Sequence, residues 1–257
     1  MTRIIRIFLL MIVVLLPSTL RAQDQKLAET GKKVYNTYCV ICHGDQGDGK
    51  GLMGVIHRVQ KRGIVVYTYP RDFTAGLFKF RSTPTGYLPT NSDLMEIVTE
   101  GIARSGMPSH KELSEADRKA VVEYIKTFSK RWAEETPGTA IKIADVPAYV
   151  GTQASLQRGT SLYNDAGCFN CHGKTGKGDG PSSAALKDNW GDKILPFDFT
   201  SGSLKGGTEA RDIYRTFVTG MDGTPMPSFE EALNEQQRWD IVTYCLEMMK
   251  GKGIAQK

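Results

Sequence analysis

The chain has 257 residues, of which 40% are apolar and 24% charged, with 27 Gly and 11 Pro. This composition is that of an ordinary globular protein and excludes wholesale disorder, collagen and coiled coil. The net charge is only +5 and the basic residues form no stripe along the chain, which excludes a nucleic-acid-binding protein.

The N-terminus has the pattern of an export signal. Arg3 and Arg6 precede an unbroken apolar run, Ile7 to Leu16, and Ala22 offers a small residue for cleavage before Gln23. The run is shorter than the roughly 20 apolar residues that span a bilayer. We therefore predict a signal peptide over residues 1–22 and a periplasmic protein; the alternative is an uncleaved membrane anchor. After cleavage the chain keeps 30 basic and 28 acidic residues, a net charge of +2.

The rest of the chain is an internal repeat, which indicates a duplicated structural unit. CVICHG at 39–44 matches CFNCHG at 168–173, PRDFTAG at 70–76 matches PFDFTSG at 196–202, and GMPSH at 106–110 matches PMPSF at 225–229. The stretch 134–152 matches nothing and is rich in Pro and Gly. We therefore predict a first domain over 23–133, a linker over 134–152 and a second domain over 153–257.

The pattern within each unit is helical. Val121, Tyr124, Ile125 and Phe128 recur at the spacing of one helix face, and residues 241–248 repeat that spacing. Ser114 and Asn234, each with a polar residue three positions on, are typical helix N-caps. The only credible strand is 64–69, in an insertion at 52–69. We predict an all-α fold with about three main helices in each unit.

Each unit contains one C-x-x-C-H pentad, the attachment signature of c-type haem. Two thiols on one helical turn can each add to a haem vinyl group, and the following His can then ligate the iron. The competing interpretations are a redox C-x-x-C motif, half of a zinc site, or a disulfide. Two such pentads in an exported chain favour two covalently bound haem c groups. The predicted attachment residues are Cys39, Cys42, Cys168 and Cys171, and the predicted proximal iron ligands are His43 and His172.

The sixth iron ligands must come from elsewhere in the chain. Outside the pentads the only histidines are His57 and His110, both in the first unit. Met226 therefore becomes the candidate in the second unit, with Met107 at the equivalent place in the first, because a thioether is a soft donor to haem iron. His110 and His57 remain alternatives to Met107, and Met221 is a weaker alternative to Met226. Cys245 aligns with a core position and is predicted to be a buried apolar residue.

On both pentads and both M-P-S loops, the chain resembles the class I cytochromes c in tandem dihaem form, as in the cytochrome c4 type. The resemblance covers about residues 27–130 and 154–250. It implies a close crossing of the first and last helices of each unit, with Gly31 and Tyr35 meeting Tyr124, and Gly159 and Tyr163 meeting Tyr244. It also implies a Pro whose carbonyl accepts the proximal His Nδ1–H bond; Pro181 fits that position and Leu52 replaces it in the first unit. Separately from the resemblance, Lys79 and Arg81 are candidates to neutralise haem propionates, or else solvated surface charges.

The predicted function is electron transfer. Two six-coordinate irons leave no open position for a substrate, so the protein is expected to carry single electrons between respiratory redox partners, either free or as a subunit of a larger oxidoreductase. A large apolar surface around one haem would favour the subunit interpretation. The alternative is a dihaem enzyme such as a cytochrome c peroxidase, which needs a distal acid–base group over one haem.

Overall fold

The computed structural model describes residues 18–59, 65–102, 104–202 and 204–250, without the side chains of 18–24, 56–59, 65 and 66. The predicted signal peptide therefore falls largely outside the described residues. Within them, the helices and strands are α1 (Ser18–Tyr38), α2 (Val40–His43), β1 (Ile56–Val59), β2 (Val65–Thr68), α3 (Asn91–Glu100), α4 (Glu115–Lys126), α5 (Arg131–Glu134), α6 (Gln153–Asp165), α7 (Phe169–His172), α8 (Ala210–Thr219) and α9 (Glu235–Lys250). In the described part of the chain, no helix is both long and apolar enough to cross a membrane.

The predicted all-α class is confirmed, with three main helices in each unit. These are α1, α3 and α4 in the first unit and α6, α8 and α9 in the second. Each unit has its own core of buried apolar residues, centred on α4 in one and α9 in the other. The predicted N-caps form: the Ser114 hydroxyl accepts from the Asp117 amide at 3.1 Å, and the Asn234 side chain accepts from the Gln237 amide at 2.9 Å.

The insertion in the first unit folds as an antiparallel hairpin. The predicted strand is present as β2, and its partner β1 was not expected from the sequence. β1 has only four residues, and because His57 and Arg58 stand side by side between Ile56 and Val59, it lacks the alternation that marks a strand. His57 lies on β1 opposite Tyr67, and its side chain is outside the part of the chain that the structure describes.

The first and last helices of each unit cross at a glycine, as the resemblance implied. A side chain on Gly31 would collide with the Ala120 carbonyl oxygen. The rings of Tyr35 and Tyr124 then lie 5.3 Å apart, and those of Tyr163 and Tyr244 lie 5.0 Å apart. Only a residue without a Cβ allows the two backbones to approach this closely.

The stretch 134–152 runs from the first unit onto the second. The amides of Gly138 and Ile141 donate to the Leu88 and Ser82 carbonyls at 3.1 and 2.8 Å, which holds this stretch on the first unit. The side chains of Ile141 and Ile143 pack against the core of the second unit. The domain limits predicted from the repeat remain a proposal, with this stretch as a docked rather than a free connection.

The two units also meet directly, around a buried ion pair. The Arg81 guanidinium lies 2.9 Å from the Asp222 carboxylate and donates to the Thr219 carbonyl at 2.8 Å. The Thr85 hydroxyl donates to the same carbonyl at 2.7 Å. Thr219 is the last residue of α8, so its carbonyl has no partner within the helix. The first unit thus supplies the donors that cap the end of α8.

Candidate functional site

Both pentads open into one cavity of about 1880 Å³, which is shared by the two units. Pockets for drug-sized ligands usually measure about 300–1,000 Å³, so this volume suits one very large group or two. All the predicted ligand and attachment residues line it: Cys39, Cys42, His43, Met107, Cys168, Cys171, His172 and Met226. The cavity is predominantly apolar, and its residue set fits haem.

Each pentad is held as a short helical turn at the end of the first helix of its unit. The His43 amide donates to the Cys39 carbonyl at 2.9 Å, and the His172 amide donates to Cys168 at the same distance. The Tyr35 hydroxyl donates to the Gly44 carbonyl at 2.8 Å, and the equivalent Tyr163 bond is equally long. A Tyr one turn before the pentad therefore fixes the residue just after it.

None of the five cysteines forms a disulfide bond. Burial raises the pKa of both Cys39 and Cys168 to about 11, so these thiols are protonated at neutral pH. In the described residues, no group of three or more His, Cys, Asp or Glu side chains converges as a metal site would require.

The two pentad histidines are oriented by main-chain carbonyls. His43 Nδ1 lies 3.0 Å from the Arg71 carbonyl oxygen, and His172 Nδ1 lies 3.2 Å from that of Phe197. A proton on Nδ1 leaves Nε2 as the lone-pair atom available to a metal. Burial lowers the pKa of both imidazoles, which the carbonyl bonds partly offset. The rings are therefore neutral at pH 7, as iron ligands must be.

The prediction that the Pro181 carbonyl accepts the Nδ1–H bond of His172 is wrong. The carbonyl of Leu52, at the equivalent position of the first unit, does not accept the bond from His43 either. The actual acceptors each follow the Pro of the repeated P-x-D-F-T motif, at Pro70 and Pro196. That repeat was visible in the sequence, but no local rule connects it with a histidine 28 or 25 residues earlier.

The two methionine loops close in the same way. The Ile102 amide donates to the Met107 carbonyl at 3.1 Å, and the Met221 amide donates to that of Met226 at 3.0 Å. A hydroxyl two residues before each methionine accepts from the methionine amide, at 3.2 Å in both loops. Met107 and Met226 are thus structurally equivalent, whereas Met221 occupies the position of Ile102. Their assignment as iron ligands remains a prediction.

His110 also lines the cavity, and it is buried. Its Nδ1 lies 3.2 Å from a carboxylate oxygen of the exposed Glu112. The sequence showed no assembled pair of histidine and carboxylate, because two residues of spacing in a loop carry no such signal. At the repeat-equivalent position the second unit has Phe229, so only the first unit has this pair.

The two candidate partners for haem propionates, Lys79 and Arg81, lie in different surroundings. Lys79 lines the cavity, and burial together with Arg71 lowers the pKa of Lys79 to about 8. Burial likewise lowers the pKa of Arg71 to about 10. Both side chains are half-buried, and Asp188 partly offsets the shift in each. Cations taken partly out of water are stabilised by anions, so these two also suit haem propionates. Arg81, the other candidate, is neither a surface charge nor a cavity residue, because it is paired with Asp222 between the units.

Cys245 is buried in the core of the second unit, as predicted. Burial raises the pKa of its thiol far above the usual range. It is therefore an apolar packing residue on α9.

Known families match both units. Residues 156–248 match the cytochrome c family, and residues 26–125 match the family of cbb3-type cytochrome c oxidase subunit III. A chain in the structure of the reducing HAO-like protein complex of Kuenenia stuttgartiensis superposes with a TM-score of 0.78 at 37% identity, over 86% of this chain and 96% of that chain. Photosystem II extrinsic protein V of Aphanothece halophytica is 28% identical over 118 residues, which are 42% of this chain and 67% of that protein.

The fold and the two pentads define an electron-transport protein of the haem-binding cytochrome c class. The chain belongs to the class I cytochromes c, in the form with two cytochrome c domains in tandem.

Proposed function

We propose that the protein is an exported cytochrome that binds two haem c groups covalently and passes electrons one at a time between redox partners. The observation that carries the proposal is the shared cavity, in which each unit contributes a cysteine pair, an oriented histidine and a methionine loop. When bound, the haem supplies the one-electron chemistry. The four pentad cysteines would hold it through thioethers, His43 and His172 would ligate the iron, and Arg71 and Lys79 would offer positive charge to propionates.

The number and linkage of the haems are tested by denaturing extraction. Acidified organic solvent should leave two haems on each polypeptide, because four thioether bonds survive unfolding. A Cys168→Ala/Cys171→Ala variant should keep one haem and serves as the internal standard. Release of one equivalent of free haem from the wild type would show that one pentad is not an attachment site.

The axial ligands are tested by spectroscopy of ferric variants. Sulfur ligation gives ferric haem a weak charge-transfer band, and Met226→Ala should halve its intensity and lower the potential of the second haem. Met221→Ala is the matched control from the same loop and should leave the band unchanged. Met107→Ala should have the same effect on the first haem. If His110→Ala alters that haem instead, its sixth ligand is His110.

We further propose that the protein works as an electron-transfer subunit that docks through its first unit. Exposed apolar side chains lie around the first pentad: Leu52 is 98% exposed, Met53 68%, Ile41 46% and Tyr38 44%, and of these Met53 and Tyr38 also line the shared cavity. The equivalent residues of the second unit are Pro181, Ser182, Asn170 and Gly167. Such a surface is typical of an interaction site, and the similar chain from Kuenenia stuttgartiensis belongs to a protein complex.

The docking proposal is tested with an Ile41→Ser/Leu52→Ser variant, because neither of these exposed residues lines the cavity. The variant should exchange electrons through its first haem more slowly than the wild type. The electron-exchange partner in the assay is a membrane or periplasmic extract of the source organism, prepared without detergent. The potentials of both haems should stay unchanged. The control is Pro181→Ser at the equivalent site of the second unit. Equal rates for the variant and the wild type would refute docking at this surface.

One observation favours a second candidate, peroxidase activity at the first haem. His110 with Glu112 is a distal pair of the kind that could move protons of a bound peroxide. The activity requires that Met107 leave the iron. Rapid cyanide binding and peroxide turnover by the wild type, both lost in His110→Ala, would replace the carrier function by this one.

Export is tested on the mature protein. We expect it in the periplasmic fraction, with Gln23 as its first residue. Retention in the membrane fraction with an intact N-terminus would show an anchor instead.

A further inference from the structure

The residue that orients the first proximal histidine is in contact with the second unit. The Arg71 carbonyl accepts the bond from His43 at 3.0 Å, and the Arg71 guanidinium lies 4.9 Å from the centroid of the Trp190 ring. Trp190 also donates from Nε1 to the Asp72 carboxylate at 3.2 Å. The Trp190 side chain of the second unit therefore contacts both Arg71, whose carbonyl accepts from His43, and the next residue, Asp72.

Trp190 is itself attached to the methionine loop of the second unit. A Cβ on Gly223 would lie 2.9 Å from the Trp190 ring, so ring and loop are in close contact. The Asn189 amide donates to the Gly223 carbonyl at 3.1 Å, and the Asp188 carboxylate accepts from the Trp190 amide at 3.0 Å. Gly223 lies between Met221 and Met226. Trp190 thus connects the distal loop of the second unit with the proximal acceptor of the first.

The opposite connection is made by Arg104. This residue lies in the methionine loop of the first unit, and its guanidinium is 6.0 Å from the centroid of the Phe197 ring. It also donates to the Ser201 hydroxyl at 3.1 Å. Phe197 is the residue whose carbonyl accepts from His172. Two chemically different contacts therefore make the same kind of connection. Each joins the methionine loop of one unit to the residue whose carbonyl orients the proximal histidine of the other unit.

The backbone at Arg104 supports a specific role for this contact. Its φ of 59° is the only positive φ of a non-glycine in the described residues. An L-residue in this region is strained and persists only where surrounding contacts favour it. The cation–π contact with Phe197 and the hydrogen bond to Ser201 are contacts of that kind.

We propose that Trp190 and Arg104 are positioning residues that couple the two haem sites, each through the proximal histidine of the opposite unit. The inference rests on the proposed function, since it needs a haem in each unit. A rearrangement of one distal loop changes the position of the other unit's acceptor carbonyl and thus the strength of its Nδ1–H bond. That bond sets the basicity of the imidazole and, with it, the potential of the iron.

The coupling has a definite sign. A firmly held carbonyl makes the imidazole a stronger donor and favours ferric iron, so loss of the contact should raise the potential of the opposite haem. Mutation of a residue that hydrogen-bonds directly to a metal ligand typically costs about 10–100-fold in metal affinity or activity. Trp190 acts one residue further out, so we expect at most a roughly tenfold change in the ratio of reduced to oxidised first haem, which is ~59 mV for one electron.

The test measures both potentials in the dihaem holoprotein. Paramagnetic NMR assigns each haem through contacts of its proximal histidine with Phe73 in the first unit, 4.5 Å between rings, or Phe199 in the second, 5.1 Å. Trp190→Ala should raise mainly the first potential and shift the His43 ring resonances. Trp190→Phe keeps a ring over Arg71 and should restore most of the wild-type value.

Arg104→Ala should produce the crossed result: shifted His172 resonances, and a second potential higher than in Lys177→Ala, which also removes a positive charge from the cavity wall. Because Arg104 is exposed, this variant tests the proposal even if Trp190→Ala does not fold. Arg211→Ala is the control, since it removes an exposed contact with Asp145 and touches neither acceptor. Unchanged potentials in Arg104→Ala, or a shift confined to the first haem, would overturn the proposal. A wild type with fewer than two haems would instead refute the proposed function.

Discussion

The ion pair between Arg81 and Asp222 should contribute strongly to the stability of the folded protein. The Arg81 side chain is fully buried and that of Asp222 is 7% exposed. Burial lowers the pKa of Arg81, and Asp222 opposes that shift. Replacing Arg81 by Met removes the guanidinium and its bonds to Phe78, Thr219 and Asp222.

The size of the loss in stability follows from the contacts that Asp222 keeps in the variant. In Arg81→Met, Asp222 keeps the Gly86 amide as a donor, at 3.1 Å, but its charge is no longer balanced by a partner. Breaking a buried pair in this way costs about 3–5 kcal/mol. The double variant Arg81→Met/Asp222→Asn should lose less than Arg81→Met alone, because the unbalanced charge is removed while the amide oxygen still accepts from Gly86.

The assay is guanidinium denaturation of the ferric holoprotein, followed by far-UV circular dichroism and by haem absorbance. Two probes are needed because a chain with two units can unfold in more than one step. Arg211→Ala, which breaks the exposed pair with Asp145, should change stability by no more than about 1 kcal/mol. A loss in Arg81→Met no larger than in this control would refute the reasoning.

Three further outcomes are expected. Gly159→Ala should destabilise the second unit by about 1–3 kcal/mol, since the new methyl group would collide with the Asp240 carbonyl; unfolding by denaturant measures it, and an unchanged midpoint would contradict the crossing. Tyr163→Phe should cost about 0.5–1.5 kcal/mol through loss of its bond to the Gly173 carbonyl, measured in the same way. The denatured holoprotein should contain a single alkylatable thiol, that of Cys245, which resists alkylation in the native state because burial raises its pKa; more than one thiol would contradict attachment at four cysteines.

Features that depend on neighbouring residues were predictable from the sequence. The helix faces and the N-caps at Ser114 and Asn234 follow from spacing and residue type, whereas the crossings at Gly31 and Gly159 were implied by the resemblance to the class I cytochromes c. The pentads are equally local, since their thiols and histidine share one helical turn. The buried position of Cys245 followed from the repeat.

Features that depend on distant residues were decided by the tertiary structure. The carbonyls that accept from the proximal histidines belong to Arg71 and Phe197, not to Pro181. The sequence does not reveal this, because a long loop can bring any of its carbonyls to the imidazole. Arginine is usually a surface residue, and Arg81 is buried only because the end of α8 lies against it. Trp190 and Arg104 carry no pattern that names their partners. The amino-acid sequence by itself determined the two cytochrome units, and only their packing decided how each haem site is held by the other, since contacts across an interface depend on the shapes of both surfaces.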